Sequence, residues 1–196
     1  MPLMTKDQYI ESLRNLKLKV YIFGELVENP VDHPMIIPSM NSVAMTYELV
    51  QNEEYADLMT ATSNYNGNRV NRFSHLHQDT GDLIKKVKMQ RLLGQQTGSC
   101  FQRCVGMDAA NALFSTTFDT DKACGTNYHE NFNKYWAFIQ ENDYTVDGAM
   151  TDPKGDRSLS PSKQVDPDLY LRVVEKRRRR SCPRRQSPSN RNGEFS

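Results

Sequence analysis

The sequence has no apolar run long enough to cross a membrane. Between charged residues its longest apolar-leaning stretch, PMIIPSMNSVAMTY, has 14 residues and is broken by Pro38, Ser39 and Asn41, short of the roughly 20 that a spanning helix needs. The N-terminus, MPLMTKDQYIESLRN, is charged and amphipathic where a secretory signal would be apolar. Cysteine is scarce: Cys100, Cys104, Cys124 and Cys182 follow no secreted disulfide framework. These absences predict a reduced, cytoplasmic setting and no membrane partner. GxGxxG, P-loop, GxSxG and HExxH motifs are all missing, so the chemistries those signatures carry find no support.

A strong excess of one charge is also missing, since the whole chain carries +1. That balance hides a seam. Residues 177–196 hold seven arginines and one glutamate, a local +6, so residues 1–176 carry −5. An acidic body does not point to nucleic acid. The basic signal is confined to RRRRSCPRRQSPSNRNGEFS, which alone reads as a disordered Ser/Pro-rich arm.

With 196 residues and 37% hydrophobic content, the chain can build one sizeable domain, or one and part of another. Thr5 and Gln8 stand in capping-box positions for a helix through Asn15. LKVYIFG reads as a short extended piece ending at Gly24. Asp32 is expected to cap a helix with Pro34 in its first turn, running past an irregularity at Pro38 towards Gln51. Residues 53–60 add a turn or two, and ATSNYNGNRVNRFSHLHQD is polar and turn-rich. Asp79 or Thr80 starts a periodic helix through Gln95, which Gly98 and Ser99 bend before a further helix. A last helix is expected over residues 128–141. Beyond Asn142 the composition turns to Gly, Pro and Asp, and LYLRVVEK reads as a strand. The expected fold is mainly α: a helical domain over 1–142, the start of a β domain over 143–176, and a disordered basic tail over 177–196.

Cys100 and Cys104, in TGSCFQRCVGMDAANALF, are the sharpest chemical feature. If the segment is one helix, their i, i+4 spacing puts both thiols on one face with Cβ atoms roughly 5–6 Å apart. Two thiolates can then take neighbouring corners of one metal centre, and a 4Fe–4S cluster needs two more ligands from elsewhere. Burial as small hydrophobes and redox or nucleophilic use are the competing readings. No CxxC spacing or helix N-terminus argues for the latter.

Other candidates have plainer readings. His75, His77 and Asp79 are conceivable metal ligands, but loop and cap hydrogen bonding is the preferred reading. Lys85, Lys86, Lys88 and Arg91 suit either cofactor phosphates or a solvated helix face. In TDPKGDRS, Pro153 and Gly155 shape turns, and Lys154 and Arg157 supply positive donors. Asp152 and Asp156 hold backbone amides or fix arginine geometry. This segment is either a phosphate- or flavin-facing loop or an ordinary turn between domains.

Taken together, SCFQRCVGMDA, NRFSHLHQ, ENDYTVDGAMTDPKGDRSLSPS and DPDLYLRVVEKR resemble the flavoprotein family of the 4-hydroxyphenylacetate 3-hydroxylases, and within it the dehydratase branch. The resemblance runs from residue 2 to about residue 177, roughly the first third of such a protein. It implies an acyl-CoA-dehydrogenase-like architecture, of which this chain holds the N-terminal helical domain and the first part of the middle β domain. It implies homotetramers, an acyl-CoA thioester substrate, and conversion of 4-hydroxybutyryl-CoA to crotonyl-CoA with isomerisation of vinylacetyl-CoA. FAD and a 4Fe–4S cluster are the implied cofactors. Cys100 and Cys104 would be two of the cluster's four ligands, the others being a histidine and a cysteine beyond this chain. Gln102 is implied as a catalytic group, and Arg91 with Thr151, Asp152, Lys154, Asp156 and Arg157 as cofactor-binding groups.

The implied chemistry accounts for this equipment. After loss of the α proton, one-electron withdrawal by FAD makes the β proton acidic, and the cluster serves as Lewis acid for the leaving hydroxyl. The hydroxylase members need no cluster, so the cysteine pair favours the dehydratase branch. A hydroxylase-type flavoprotein and a non-enzymatic helical module with a basic arm remain the alternatives. The tail also has a frame-shifted reading. Shifted by one nucleotide, the codons of residues 183–191 permit Arg-Gly-Ala-Lys-Ala-His-Gln-Thr-Gly, which resembles the family's continuation. The expectation is a frameshift near residue 177 and a truncated, inactive polypeptide with an exposed apolar surface.

Overall fold

Good helix formers between well-placed caps dictate most of the architecture. In the computed structural model, residues 3–148, 153–171 and 173–175 are described. The chain divides into two units, Met1–Gly148 and Ala149–Ser196.

The first unit is mainly helical. Helix α1 (Lys6–Arg14) opens on the expected capping box: the Gln8 amide donates to Thr5 Oγ1 at 3.3 Å and the Thr5 amide to Gln8 Oε1 at 2.9 Å. Strands β1 (Val20–Ile22) and β2 (Glu25–Val27) pair antiparallel around Phe23 and Gly24, at φ of 51° and 87°. Two positive φ values are what a tight two-residue hairpin turn requires. Asp32 does not cap the next helix. It lies in a 3-10 turn (Pro30–Asp32) and takes the Arg14 guanidinium on both oxygens, at 2.6 and 2.7 Å. Helix α2 (Ile37–Leu49) starts later than expected and carries Pro38 in its first turn, where the missing amide costs nothing. Helices α1 and α2 bury Tyr9, Met40, Val43, Ala44 and Tyr47 between them, with Val31.

A short helix α3 (Ala56–Met59) leads into a hairpin of β3 (Thr60–Thr62) and β4 (Arg69–Asn71), within the segment expected to be turn-rich. Asp79 caps α4 (Thr80–Thr97) by accepting the Asp82 amide at 3.0 Å, and Gly98 ends it in the left-handed conformation. Helix α5 (Arg103–Cys124) follows, then α6 (Tyr128–Asn142). The Asp121 carboxylate joins these two by accepting the Thr126 hydroxyl and the amides of Tyr128 and His129. On α6, Trp136 Nε1 and Gln140 Nε2 both donate to the Ser74 carbonyl at 2.7 Å, clamping a 3-10 turn, Arg72–Ser74, that follows β4. Two further cores result. One gathers Leu49, Met59, Phe73, Met89, Leu93, Phe101 and Met107; the other Leu76, Ala110, Phe132, Trp136 and Ile139.

In the second unit a 3-10 turn (Pro161–Lys163) is the regular element among the described residues. The described part of LYLRVVEK forms no strand, contrary to expectation. At Gly155 a Cβ would meet the ends of the Gln164 and Leu169 side chains, which pack over this glycine. The tail, with Cys182, lies outside the described residues.

Candidate functional site

The cysteines do not share a helix. Gly98 stops α4 at φ 59°, and α5 begins only at Arg103, so Cys100 lies in the connection and Cys104 in the first turn of α5. Gln102 interrupts the helix. It is left-handed at φ 60°, ψ −19°, and the Arg103 amide donates back to the Phe101 carbonyl at 2.7 Å. This tight turn reverses successive side chains. Phe101 and Arg103 are buried, while Cys100 is exposed and Gln102 and Cys104 are half-buried. Cys100 is thereby left open to solvent, Gln102 is partly covered, and Cys104 packs half-buried against the edge of the core that holds Phe101 and Met107. Helical spacing is thus replaced by a bent loop, and the thiols remain coupled. Burial, then the neighbouring Cys100, pushes the Cys104 thiol up, while the amides of Val105 and Cys104 pull the other way. A helix N-terminus, absent from the sequence reading, is therefore present at Cys104.

Beneath the loop lies a buried polar group that the sequence reading missed. The Arg103 guanidinium carbon sits 4.5 Å from the Tyr47 ring centroid and 4.8 Å from that of Phe73. Arg103 Nη1 donates to Thr46 Oγ1 at 3.0 Å, and Nη2 is 3.9 Å from Asp143 Oδ1. Burial raises the Asp143 pKa to about 6, against the opposing pull of Arg103 and of the Met4 amide, which donates to Oδ2 at 3.0 Å. Tyr47 Oη donates to the Asp143 carbonyl at 2.8 Å, and Tyr9 stacks on Tyr47. Burial raises the Tyr9 pKa to about 12. An aromatic at residue 47 and an acid at residue 143 carry no sequence signal for meeting Arg103, so only the fold brings them together.

The histidines do local work. His75 is buried and its Nε2 meets Asp82 Oδ2 at 2.9 Å, while Asp79 serves as the helix cap. Burial works against the Asp82 carboxylate, yet the Gln78 amide, His75 and Arg72 bring its pKa down to about 2. Buried Arg72 also donates to the carbonyls of Leu58, Asp57 and Thr60. Burial lowers the His77 pKa, and its amide donates to Asn111 Oδ1. Among the described residues no three His, Cys, Asp or Glu side chains converge as a metal site. Lys85 pairs with Asp57 and Lys86 with Asp108, as on a solvated face. Arg91 is exposed on α4.

Lys154, Asp156 and Arg157 are exposed in the second unit. The Asp156 carboxylate accepts the Ser158 amide and hydroxyl, which lower its pKa. It thus holds a backbone amide, one of the two roles expected of it. Thr151 and Asp152 lie outside the described residues.

The donor chemistry of this loop fits half of a thiolate-bound cluster: two soft ligands close enough to influence each other, one exposed and one half-buried, with the rest of the set to come from elsewhere. Residues 5–179 match the family described as 4-hydroxyphenylacetate 3-hydroxylase N terminal. The chain belongs to that family. It is 70% identical over 175 residues to the 4-hydroxybutyryl-CoA dehydratase/vinylacetyl-CoA-Δ-isomerase of Clostridium aminobutyricum, covering 89% of this chain and 36% of the relative. The 4-hydroxyphenylacetate 3-monooxygenase oxygenase component of Thermus thermophilus is 25% identical over 171 residues, covering 87% of this chain and 34% of the relative. Among solved structures, an oxygen-tolerant archaeal 4-hydroxybutyryl-CoA dehydratase from N. maritimus superposes with a TM-score of 0.80 at 54% identity, covering 90% of this chain and 35% of that one. The chain thus spans about a third of the length of these relatives. Among the described residues no helix is long and apolar enough to cross a membrane.

Proposed function

We propose that this chain is the N-terminal part of a flavin- and 4Fe–4S-dependent lyase and isomerase, dehydrating 4-hydroxybutyryl-CoA to crotonyl-CoA and isomerising vinylacetyl-CoA. The observation that carries the proposal is the pair of neighbouring thiols in the Cys100–Gln102–Cys104 loop, in a chain 70% identical to a relative named for that activity. Within an acyl-CoA-dehydrogenase-like protein, residues 1–142 would form the helical domain and 143–176 the entry to the middle domain. Residues 177–196 would be read from a shifted frame.

Bound FAD supplies one-electron redox chemistry, and a bound cluster supplies Lewis acidity towards a leaving hydroxyl. The chain's own residues bind and orient. Cys100 and Cys104 hold two corners of the cluster as thiolates. Gln102, fixed between them, presents an amide to the substrate. The exposed cations Lys154 and Arg157, with Arg91, Thr151 and Asp152, serve cofactor binding, and Asp156 rigidifies their loop through Ser158. A homotetramer and a cytoplasmic setting complete the proposal.

Anaerobic loading of the frame-restored protein with iron and sulfide tests it. We expect stoichiometric cluster, lost in Cys100→Ala and in Cys104→Ala. Full cluster binding by either variant refutes the ligand assignment and favours a hydroxylase-type flavoprotein. The 196-residue chain itself, with two of the four ligands, is expected to show no turnover of 4-hydroxybutyryl-CoA; measured turnover overturns that.

A further inference from the structure

We propose that Arg103 is a positioning residue for the two thiols beside it: clamped between Tyr47 and Phe73 and tied to Thr46, it pins the turn at Gln102 and so sets Cys100 and Cys104 on one side for a shared metal centre. This rests on the reading of both cysteines as cluster ligands.

Burying a guanidinium is expensive unless its donors are satisfied. Here Nε has no hydrogen-bond partner, and the nearest carboxylate oxygen, Asp143 Oδ1, lies 3.9 Å from Nη2 and also lacks one. Apolar residues of similar volume in place of both Arg103 and Asp143 would fill this space at no greater cost, so stability alone does not explain the pair. What the guanidinium adds is orientation. Its plane is held between two ring faces, at 4.5 and 4.8 Å, and its fork is fixed by Thr46 at 3.0 Å. The three contacts come from α2 and from the turn after β4, so the first residue of α5 is anchored to two separate elements.

The anchor reaches the thiols through the backbone. The Arg103 amide closes the tight turn on the Phe101 carbonyl, and Phe101 packs against the same Phe73 ring at 5.7 Å. Residues 101 and 103 are thus held by one aromatic wall, which fixes the backbone on both sides of Gln102. It thereby fixes the separation of exposed Cys100 from Cys104, which is half-buried at the edge of the same core and close enough to feel Cys100. Arg103 is not among the influences on the Cys104 thiol, which are burial, Cys100, nearby amides and Asp108. Its part is geometric, in the manner of the outer-shell partners that orient metal ligands.

The test uses the full chain with Arg103→Met, Arg103→Lys and the milder Thr46→Val, and Phe132→Leu as a stability control in a separate core. Helicity by circular dichroism and melting temperature establish folding. Two readouts follow: iodoacetamide alkylation rates of Cys100 and Cys104 by peptide mass spectrometry, and titration of the apo protein with Cd2+ by thiolate charge-transfer absorption. We expect half-buried Cys104 to react more slowly than exposed Cys100 in the parent, and Arg103→Met to narrow that difference. The same change should weaken Cd2+ binding by roughly 10–100-fold, the range seen for lost outer-shell partners. Thr46→Val should move both in the same direction by less. It carries the test if Arg103→Met does not fold. Phe132→Leu should lower the melting temperature and leave both readouts unchanged. Full rescue by Arg103→Lys, whose ammonium cannot lie flat between rings, overturns the clamp. Unchanged rates and affinity in folded Arg103→Met and Thr46→Val also overturn it. If Cd2+ binding by the parent is indifferent to Cys100→Ala and Cys104→Ala, the ligand reading falls and takes this inference with it.

Discussion

Gln102 occupies a backbone conformation that costs a non-glycine residue about 1–2 kcal/mol, at φ 60° with no side-chain cap to offset it. Such strain persists where the surroundings impose it, and Phe101 and Arg103 do so here. Gln102→Gly is therefore expected to raise stability by about 0.5–1 kcal/mol, read as a higher melting temperature; an unchanged or lower one argues against strain. Asp143 gives a second expectation. Burial raises its pKa to about 6, so the folded chain holds this proton more tightly than the unfolded chain does. The linked stabilisation is full below pH ~4, fades as pH rises through about 6, and amounts to a few kcal/mol. Asp143→Asn should flatten the melting temperature between those limits, and a slope like that of the parent overturns the assignment. Neither effect was legible in the sequence. Cys100 and Cys104 stood out by chemistry and spacing, but nothing in FQRC announces a left-handed glutamine or a buried arginine. Both follow from Tyr47, Thr46, Phe73 and Asp143, which lie far away along the chain.

Elements with strong local signals were legible in advance. The Thr5–Gln8 box and the Asp79 cap fix two helices because each signal acts within one turn. The extended piece ending at Gly24 was legible as β1, whereas the hairpin of β3 and β4 was missed for a physical reason. β3 and β4 are three residues each, TAT and RVN, too short and polar for alternation to register, and their partners are set by burial of Val70 and Arg72. Asp32 was misread because its carboxylate serves Arg14 across the chain and not its own helix. Two substitutions test the element scale. Thr5→Ala removes half of the capping box and should cost about 1 kcal/mol, seen as early fraying of α1 in hydrogen exchange; protection equal to the parent counts against it. Gly106 lies where α5 passes the Val146 carbonyl, and a Cβ there would strike that backbone. Backbone cannot swing aside as a flexible side chain can, so Gly106→Ala should cost about 1–3 kcal/mol. An unchanged denaturation midpoint shows that residues 143–148 yield instead.

At the scale of the whole molecule, α4 presents an apolar stripe. Leu83, Ile84 and Val87 are 47%, 51% and 62% exposed, and Arg91 follows one turn beyond Val87. The spacing places them side by side on one face. Scattered exposed hydrophobes are ordinary, but a contiguous helical stripe marks a surface that another element covers. The inward face of α4 already contributes Met89 and Leu93 to a core, so the stripe is not needed for folding of the first unit. In a chain spanning about a third of its relatives' length, we expect it to drive self-association of the 196-residue polypeptide. Sedimentation over a concentration series should show species larger than the monomer, growing with concentration and persisting at high salt, since apolar contact is not screened by ions. Ile84→Glu with Val87→Glu should shift the distribution to monomer while helicity is retained. The salt arm separates this from association through the arginine-rich tail, which screening would weaken. A single monomeric boundary at every concentration would show that the stripe is an ordinary solvated face.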